Sequence, residues 1–186
     1  MTSGSASAHS ASIRACELPP GVLLARYRET GAYADCYVAE VGYAVTQAEY
    51  VEAFYTTAAF KLERWLLGRL AARPSTDAQA RELATGQRTS FAAWSVEGRA
   101  ADQLLLCDFQ GRTRSWLMTA PVAHGGAAGT RLYFGSAVVP LSKPGPADRP
   151  RMGFAFRALL GFHKAYSRVL LRAAVARLAR ARSAHA

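Results

Sequence analysis

Three groups of residues in this chain could do chemistry. The first lies in LLLCDFQGRTRSWLMTAP, residues 104–121, where Asp108, Arg112 and Arg114 stand beside Trp116 in an otherwise apolar stretch. An arginine such as Arg114, reaching toward an apolar cavity, would hold a ligand carboxylate or phosphate by a bidentate contact. The second is His163 and Tyr166, three residues apart. On a helix they lie side by side and could serve one ligand as acid and base. The third is aromatic. Trp65, Trp94 and Trp116, with Tyr37, Phe91, Tyr133 and Phe134, could line a mostly apolar ligand cavity.

Each group also has a plainer interpretation. Asp108 and Arg112 can form an exposed cross-strand pair at a hairpin tip, contributing less than about 1 kcal/mol. His163 can be a hydrogen-bonded core histidine, and the aromatic residues can simply fill a core. Sequence does not separate a full core from a hollow one, because volume is a property of packing.

Other chemistries find no support. His9, His124 and His185 fall in a tail, a glycine loop and the terminus, and no HxH or HExxH spacing occurs. No metal site is therefore expected. Gly125, Gly126 and Gly129 lack the following helix and lysine of a phosphate-binding loop. Ser115 and Ser136 lack the GxSxG context of a nucleophile elbow. No cofactor is expected.

Which face Asp108 and the arginines share depends on hairpin register, since a slip of one residue turns every side chain over. A two-residue turn at Gln110-Gly111 sets Phe109 opposite Arg112 and Asp108 opposite Thr113. A three-residue loop, with Gly111 in the left-handed position, sets Asp108 opposite Arg112 and Leu106 opposite Arg114. The second is favoured, because glutamine is poorly suited to the positive φ of the tighter turn. It groups Leu104, Leu106 and Asp108 with Arg112, Arg114, Trp116 and Met118.

The elements that must position these residues follow from pattern. YADCYVAEVGY, residues 33–43, is a strand. Leu18 to Gly21, with Pro19-Pro20, is irregular. Thr46 and Glu49 have capping-box spacing at the start of a helix. Tyr50, Val51, Phe54, Leu62, Trp65 and Leu66 give it apolar faces, with a break expected at Thr56-Thr57. Thr76 and Gln79 repeat the box after Pro74, and Gly86 closes that helix. Strands are expected over about 89–98, 103–109, 112–120 and 130–139, with Gly125-Gly126 in a connection. Met152, Phe156, Leu159, His163, Tyr166, Leu170 and Ala174 then form one stripe of a long helix.

The 186 residues suit one domain. Residues 1–15 are expected to be a disordered tail, 16–182 the domain and 183–186 a disordered end. With 51% hydrophobic and 19% charged residues the composition is globular. No apolar run approaches the roughly 20 residues of a membrane span, and the small polar amino terminus does not resemble a secretory signal. Cys16, Cys36 and Cys107 are scattered without CxxC spacing, so a reducing cytoplasm is the simplest compartment. The net charge is +10, and Arg168, Arg172, Arg177, Arg180 and Arg182 crowd the last helix. Those cations could meet nucleic acid or an anionic membrane surface. They also suit the carboxyl end of a helix and a solvated face.

The expected architecture is α+β: a curved antiparallel sheet gripping a long C-terminal helix, with two or three helices after the first strand. That order resembles the helix-grip superfamily, the group of START, pollen-allergen and polyketide-cyclase-like domains. FAAWSVEGRAADQLLLCDFQGRTRSWL and TRLYFGSAVVP are similar to bacterial members of that superfamily known as a domain of unknown function. The resemblance covers about residues 33 to 180 and implies a cavity between sheet and closing helix. Members bind lipids or steroids, or cyclise polyketides, and no catalytic motif of theirs stands in this chain. A hydrophobic small molecule, acidic if Arg114 anchors it, is the ligand class expected. Arg114, Trp116, Trp94, Phe134, His163 and Tyr166 are the expected contacts. The alternatives are a cyclase or isomerase using His163 and Tyr166, and an anionic-surface protein using the arginine-rich helix.

Overall fold

The computed structural model describes residues 11–61, 75–124, 127–139 and 154–184, with side chains of the last stretch described from Lys164 onward. In chain order the elements are β1 (Arg14–Ala15), α1 (Ala25–Glu29), β2 (Tyr33–Val41) and α2 (Gln47–Tyr55). Then come α3 (Asp77–Ala84), β3 (Ser90–Phe91), β4 (Trp94–Arg99), β5 (Gln103–Asp108), β6 (Thr113–His124), β7 (Ala127–Val138) and α4 (Phe154–Ser183). The fold is α+β, as the order of patterns predicts. Arg14 and Ala15, expected in the tail, instead pair with Val38 and Tyr37 of β2.

Local chemistry starts and stops the helices where the sequence places them. Thr46 accepts the Glu49 amide while Glu49 returns to the Thr46 amide, and Thr76 and Gln79 do the same for α3. Two backbone bonds close α3, Gly86 N–H to Leu83 and Gln87 N–H to Glu82, with Gly86 at φ +82°. α2 ends at Thr56, and helical backbone resumes over 58–61. Leu62, Trp65 and Leu66 lie outside the described residues.

The seven strands form one curved antiparallel sheet in the order β1-β2-β7-β6-β5-β4-β3. β2, first of the long strands, therefore lies beside β7, the last. On the inner face α2, α3 and α4 cover Tyr37, Leu104, Leu106, Leu117, Leu132 and Phe134. α4 buries Leu170, Leu171, Ala174 and Leu178 there, with Tyr166 packed at the margin. Of the predicted stripe, Tyr166, Leu170 and Ala174 face this core. The side chains of Met152, Phe156, Leu159 and His163 lie outside the described residues.

The outer face is covered too. Residues 16–27 cross it, and Val22 and Leu24 pack on Cys36, Leu105, Trp116, Met118 and Ala137. Two covered faces explain why β5 carries Leu104, Leu105 and Leu106 without alternation: all three are fully buried, on opposite faces in turn. Gly135 makes the outer packing possible. A Cβ there would lie 2.8 Å from Leu24 Cδ2 and 2.9 Å from Trp116 Cε3.

The β5–β6 hairpin corrects the favoured register. Cys107 pairs with Arg114, Leu106 with Ser115 and Leu105 with Trp116, which is the spacing that sets Asp108 level with Thr113. The connection is a turn closed by Gly111 N–H to the Asp108 carbonyl at 2.9 Å, with Gly111 at φ +70°. The Asp108 carboxylate accepts the backbone amides of Arg112 at 2.7 Å and Thr113 at 3.0 Å. A side chain thus stands in for ladder bonds, and one more residue enters the connection than the three-residue loop allows.

Candidate functional site

The register decides which predicted residues can meet. Arg114 and Trp116 lie on the outer face, away from α4, together with Leu105 and Met118. Phe134, Trp94 and Tyr166 belong to the inner side. The six expected contacts therefore do not form one group, and the side chain of His163 lies outside the described residues.

Arg114 and Trp116 bind the chain's own amino-terminal segment. Arg114 Nε donates to Tyr27 Oη and to Glu97 Oε2, both at 2.8 Å, and another guanidinium nitrogen reaches the Gly111 carbonyl. Its guanidinium carbon lies 4.7 Å from the Tyr27 ring centre. Tyr27 and Arg26 donate to the other oxygen of Glu97. The Trp116 indole N–H donates to Gln103 Oε1 at 3.0 Å, and the same oxygen accepts the Leu23 amide at 3.0 Å. These contacts clasp α1 and its approach onto the sheet. No donor of Arg114 is directed at the space under α4, so the acidic ligand loses its anchor.

The inner face carries a different polar group, which no sequence motif marks. Asp35, Ser136 and Ser115 are directly opposed across β2, β7 and β6. Ser136 Oγ donates to Asp35 Oδ1 at 2.6 Å. The phenols of Tyr33 and Tyr37, two residues to either side on the same face, donate to Asp35 Oδ2 at 3.3 and 3.5 Å. Ser115 Oγ and Tyr55 Oη of α2 are 3.0 Å apart, both buried. From α4, the Arg168 guanidinium lies 5.3 Å from the Tyr37 ring centre.

The surroundings are aromatic. Phe54, Tyr55, Phe60 and Phe91 stack edge and face, and Phe54 meets Phe134 at 4.8 Å between ring centres. Burial and the Asp35 charge push the Tyr37 phenol up to about 12, and the same two causes raise Tyr33. Both phenols therefore remain donors at neutral pH. Among the described residues, the buried atoms Trp94 Nε1 and Ser167 Oγ have no hydrogen-bond partner. A buried donor without an acceptor costs about 1–3 kcal/mol.

At the carboxyl end of α4, Arg177, Arg180 and Arg182 line a groove of about 830 Å³ with Tyr43, Glu49 and Glu52. Arg182 stacks on Tyr43 at 4.8 Å. The basic end of the helix thus faces carboxylates as well as solvent. Among the described residues no three of His, Cys, Asp or Glu converge as metal ligands, and no helix is long and apolar enough to cross a membrane.

No protein-family model matches the chain, and no curated protein matches it at a significant level.

Proposed function

We propose that this chain is a helix-grip domain that binds an apolar small molecule bearing a hydroxyl group between the inner sheet face and α4. The topology supports the first part. The first long strand adjoins the last, α2 and α3 follow the first before the run of antiparallel strands, and a long helix closes the chain over the sheet.

One observation carries the ligand class: a half-buried carboxylate, Asp35, stands in an aromatic inner face among the hydroxyls of Ser136, Tyr33 and Tyr37. A hydroxyl is the neutral group that can donate to a carboxylate and accept from a neighbouring phenol at once. Phe134, Trp94 and Tyr166 remain the expected apolar and aromatic contacts, and Asp35 replaces Arg114 as the polar anchor. A reducing cytoplasmic setting fits the three free cysteines. A cyclase or isomerase alternative has Asp35 as base with the protonated Tyr37 phenol as donor, beside the expected pair of His163 and Tyr166.

Native mass spectrometry of the detergent-free protein tests the binding. The expected result is a hydroxylated apolar adduct whose affinity falls about ten- to a hundredfold in Asp35→Asn, the equivalent of one charge-assisted hydrogen bond. An adduct bound equally by both proteins, or no binding to either, refutes the assignment.

A further inference from the structure

Cys16 and Cys36 lie level in adjoining antiparallel segments, one step beyond the Ala15–Tyr37 pair. The Cys16 amide donates to the Cys36 carbonyl at 3.0 Å, and the two sulfurs are 3.1 Å apart. Directly opposed residues of such a pair have Cα atoms about 5.5 Å apart, within the roughly 4.4–6.8 Å that a disulfide spans. Both cysteines are free thiols, Cys36 buried and Cys16 half-exposed. The pair lies on the outer face, separate from the Asp35 site, so its chemistry does not depend on a ligand being bound there.

We propose that Cys16 and Cys36 form a peroxide-responsive thiol–disulfide site that fastens the amino-terminal segment to β2. Cys16 is the attacking sulfur. It is the accessible one, and the hydrogen bond it shares with Cys36 together with the Arg14 charge outweighs burial and lowers its thiol below the ordinary value. Its thiolate attacks one oxygen of a hydroperoxide. The O–O bond breaks, the other oxygen leaves with a proton as water or an alcohol, and Cys16 becomes a sulfenic acid. The Cys36 sulfur then attacks the Cys16 sulfur and loses its proton. The S–O bond breaks, and the hydroxyl departs as water. Two thiols are oxidised by two electrons, the peroxide is reduced by two, and a dithiol reductant reverses the change. The hydrogen bond to Cys16 and burial hold Cys36 as a thiol until that step.

The product would tie residues 16 and 36 across the base of α1, the segment that the Arg114–Glu97–Tyr27 contacts already hold. Cys107 serves as an internal comparison. It is half-buried on β5, where its thiol contacts the Asp108 carbonyl at 3.3 Å.

The test is titration of the reduced full chain with hydrogen peroxide, then alkylation and tryptic digestion without reductant. Cys16 and Cys36 fall in different peptides, Ala15–Arg26 and Glu29–Lys61, and Cys107 in Ala100–Arg112. The expected result is a linked pair of the first two peptides, lighter by two hydrogen atoms and released by dithiothreitol, while the Cys107 peptide remains alkylated. In Cys36→Ser the link is lost and Cys16 is trapped by dimedone as its sulfenic acid. Sulfinic acid at Cys16 with no linked peptide, or oxidation of Cys107 ahead of the pair, overturns the proposal.

Discussion

Removing the charge of Arg114 should loosen the fold without touching ligand binding. The side chains of Arg114 and Glu97 are only 12% and 21% exposed, and they meet at 2.8 Å. Hydrogen bonds to charged groups contribute about 1.5–3 kcal/mol when sheltered, and exposed ion pairs about 0.2–1. This pair stands nearer the sheltered limit, so a coupling of about 1–2 kcal/mol is expected from a double-mutant cycle of Arg114→Met and Glu97→Gln. Methionine keeps the packing of the arginine stem. By contrast, the Arg26–Glu97 contact involves an arginine side chain that is 52% exposed, and its coupling should vanish when salt is raised to about 1 M, where the Debye length is about 3 Å. Urea unfolding of the four proteins measures the first, and a second cycle of Arg26→Met with Glu97→Gln, run at low and high salt, measures the other. For a chain of this size, 1 kcal/mol corresponds to roughly 2–4 °C in Tm. A cycle coupling below about 0.3 kcal/mol, the error of additivity, would refute the clasp. So would a loss of ligand affinity in Arg114→Met at unchanged stability, because that would return Arg114 to the binding site.

Two further perturbations test the same geometry. The raised Tyr33 and Tyr37 phenols bind their protons more tightly in the folded state than in the unfolded chain, whose tyrosines titrate near 10. Their contribution is therefore fully present below about pH 10 and lost as pH rises toward about 12; urea midpoints and phenolate absorbance followed together across that window should move in step, and a flat midpoint contradicts the assignment. Gly135→Ala introduces a Cβ against Leu24, the Trp116 ring and the Asp35 carbonyl, the last at 3.0 Å. Overpacking typically costs about 1–3 kcal/mol, partly offset by the lower chain entropy of alanine, so a net loss of about 1–2 kcal/mol in urea unfolding is expected, and a stabilised variant would show that the outer face is loosely packed.

The fold is legible because its signals are local. Thr46 with Glu49, Thr76 with Gln79, and Gly86 each act within a few residues of themselves, and their bonds form as the spacing predicts. The hairpin departs from its favoured register for a reason also present in the sequence. Asp108 and Gly111 occupy the first and fourth positions that a type I turn favours, a stronger signal than the ill fit of Gln110 to a tighter turn. That single step moves Arg114 and Trp116 to the opposite face. The unbroken LLL of β5 holds a second clue, since a strand apolar on both sides needs two covers. The candidate site is not legible in this way. Asp35 looks like one acid in a strand, and Ser136, its partner, is 101 residues away. Only the adjacency of β2 and β7 brings them together.

Tryptophan reports directly on the central claim, because Trp94 belongs to the inner side and Trp116 to the outer. Fluorine NMR of the fluorotryptophan-labelled chain, titrated with decanol and in parallel with decanoate, separates the two faces. Decanol should shift the Trp94 resonance and leave Trp116 in place, with decanoate binding more weakly and Asp35→Asn abolishing the difference. A shift at Trp116 alone, or a preference for the carboxylate, would contradict an inner-face site anchored by Asp35.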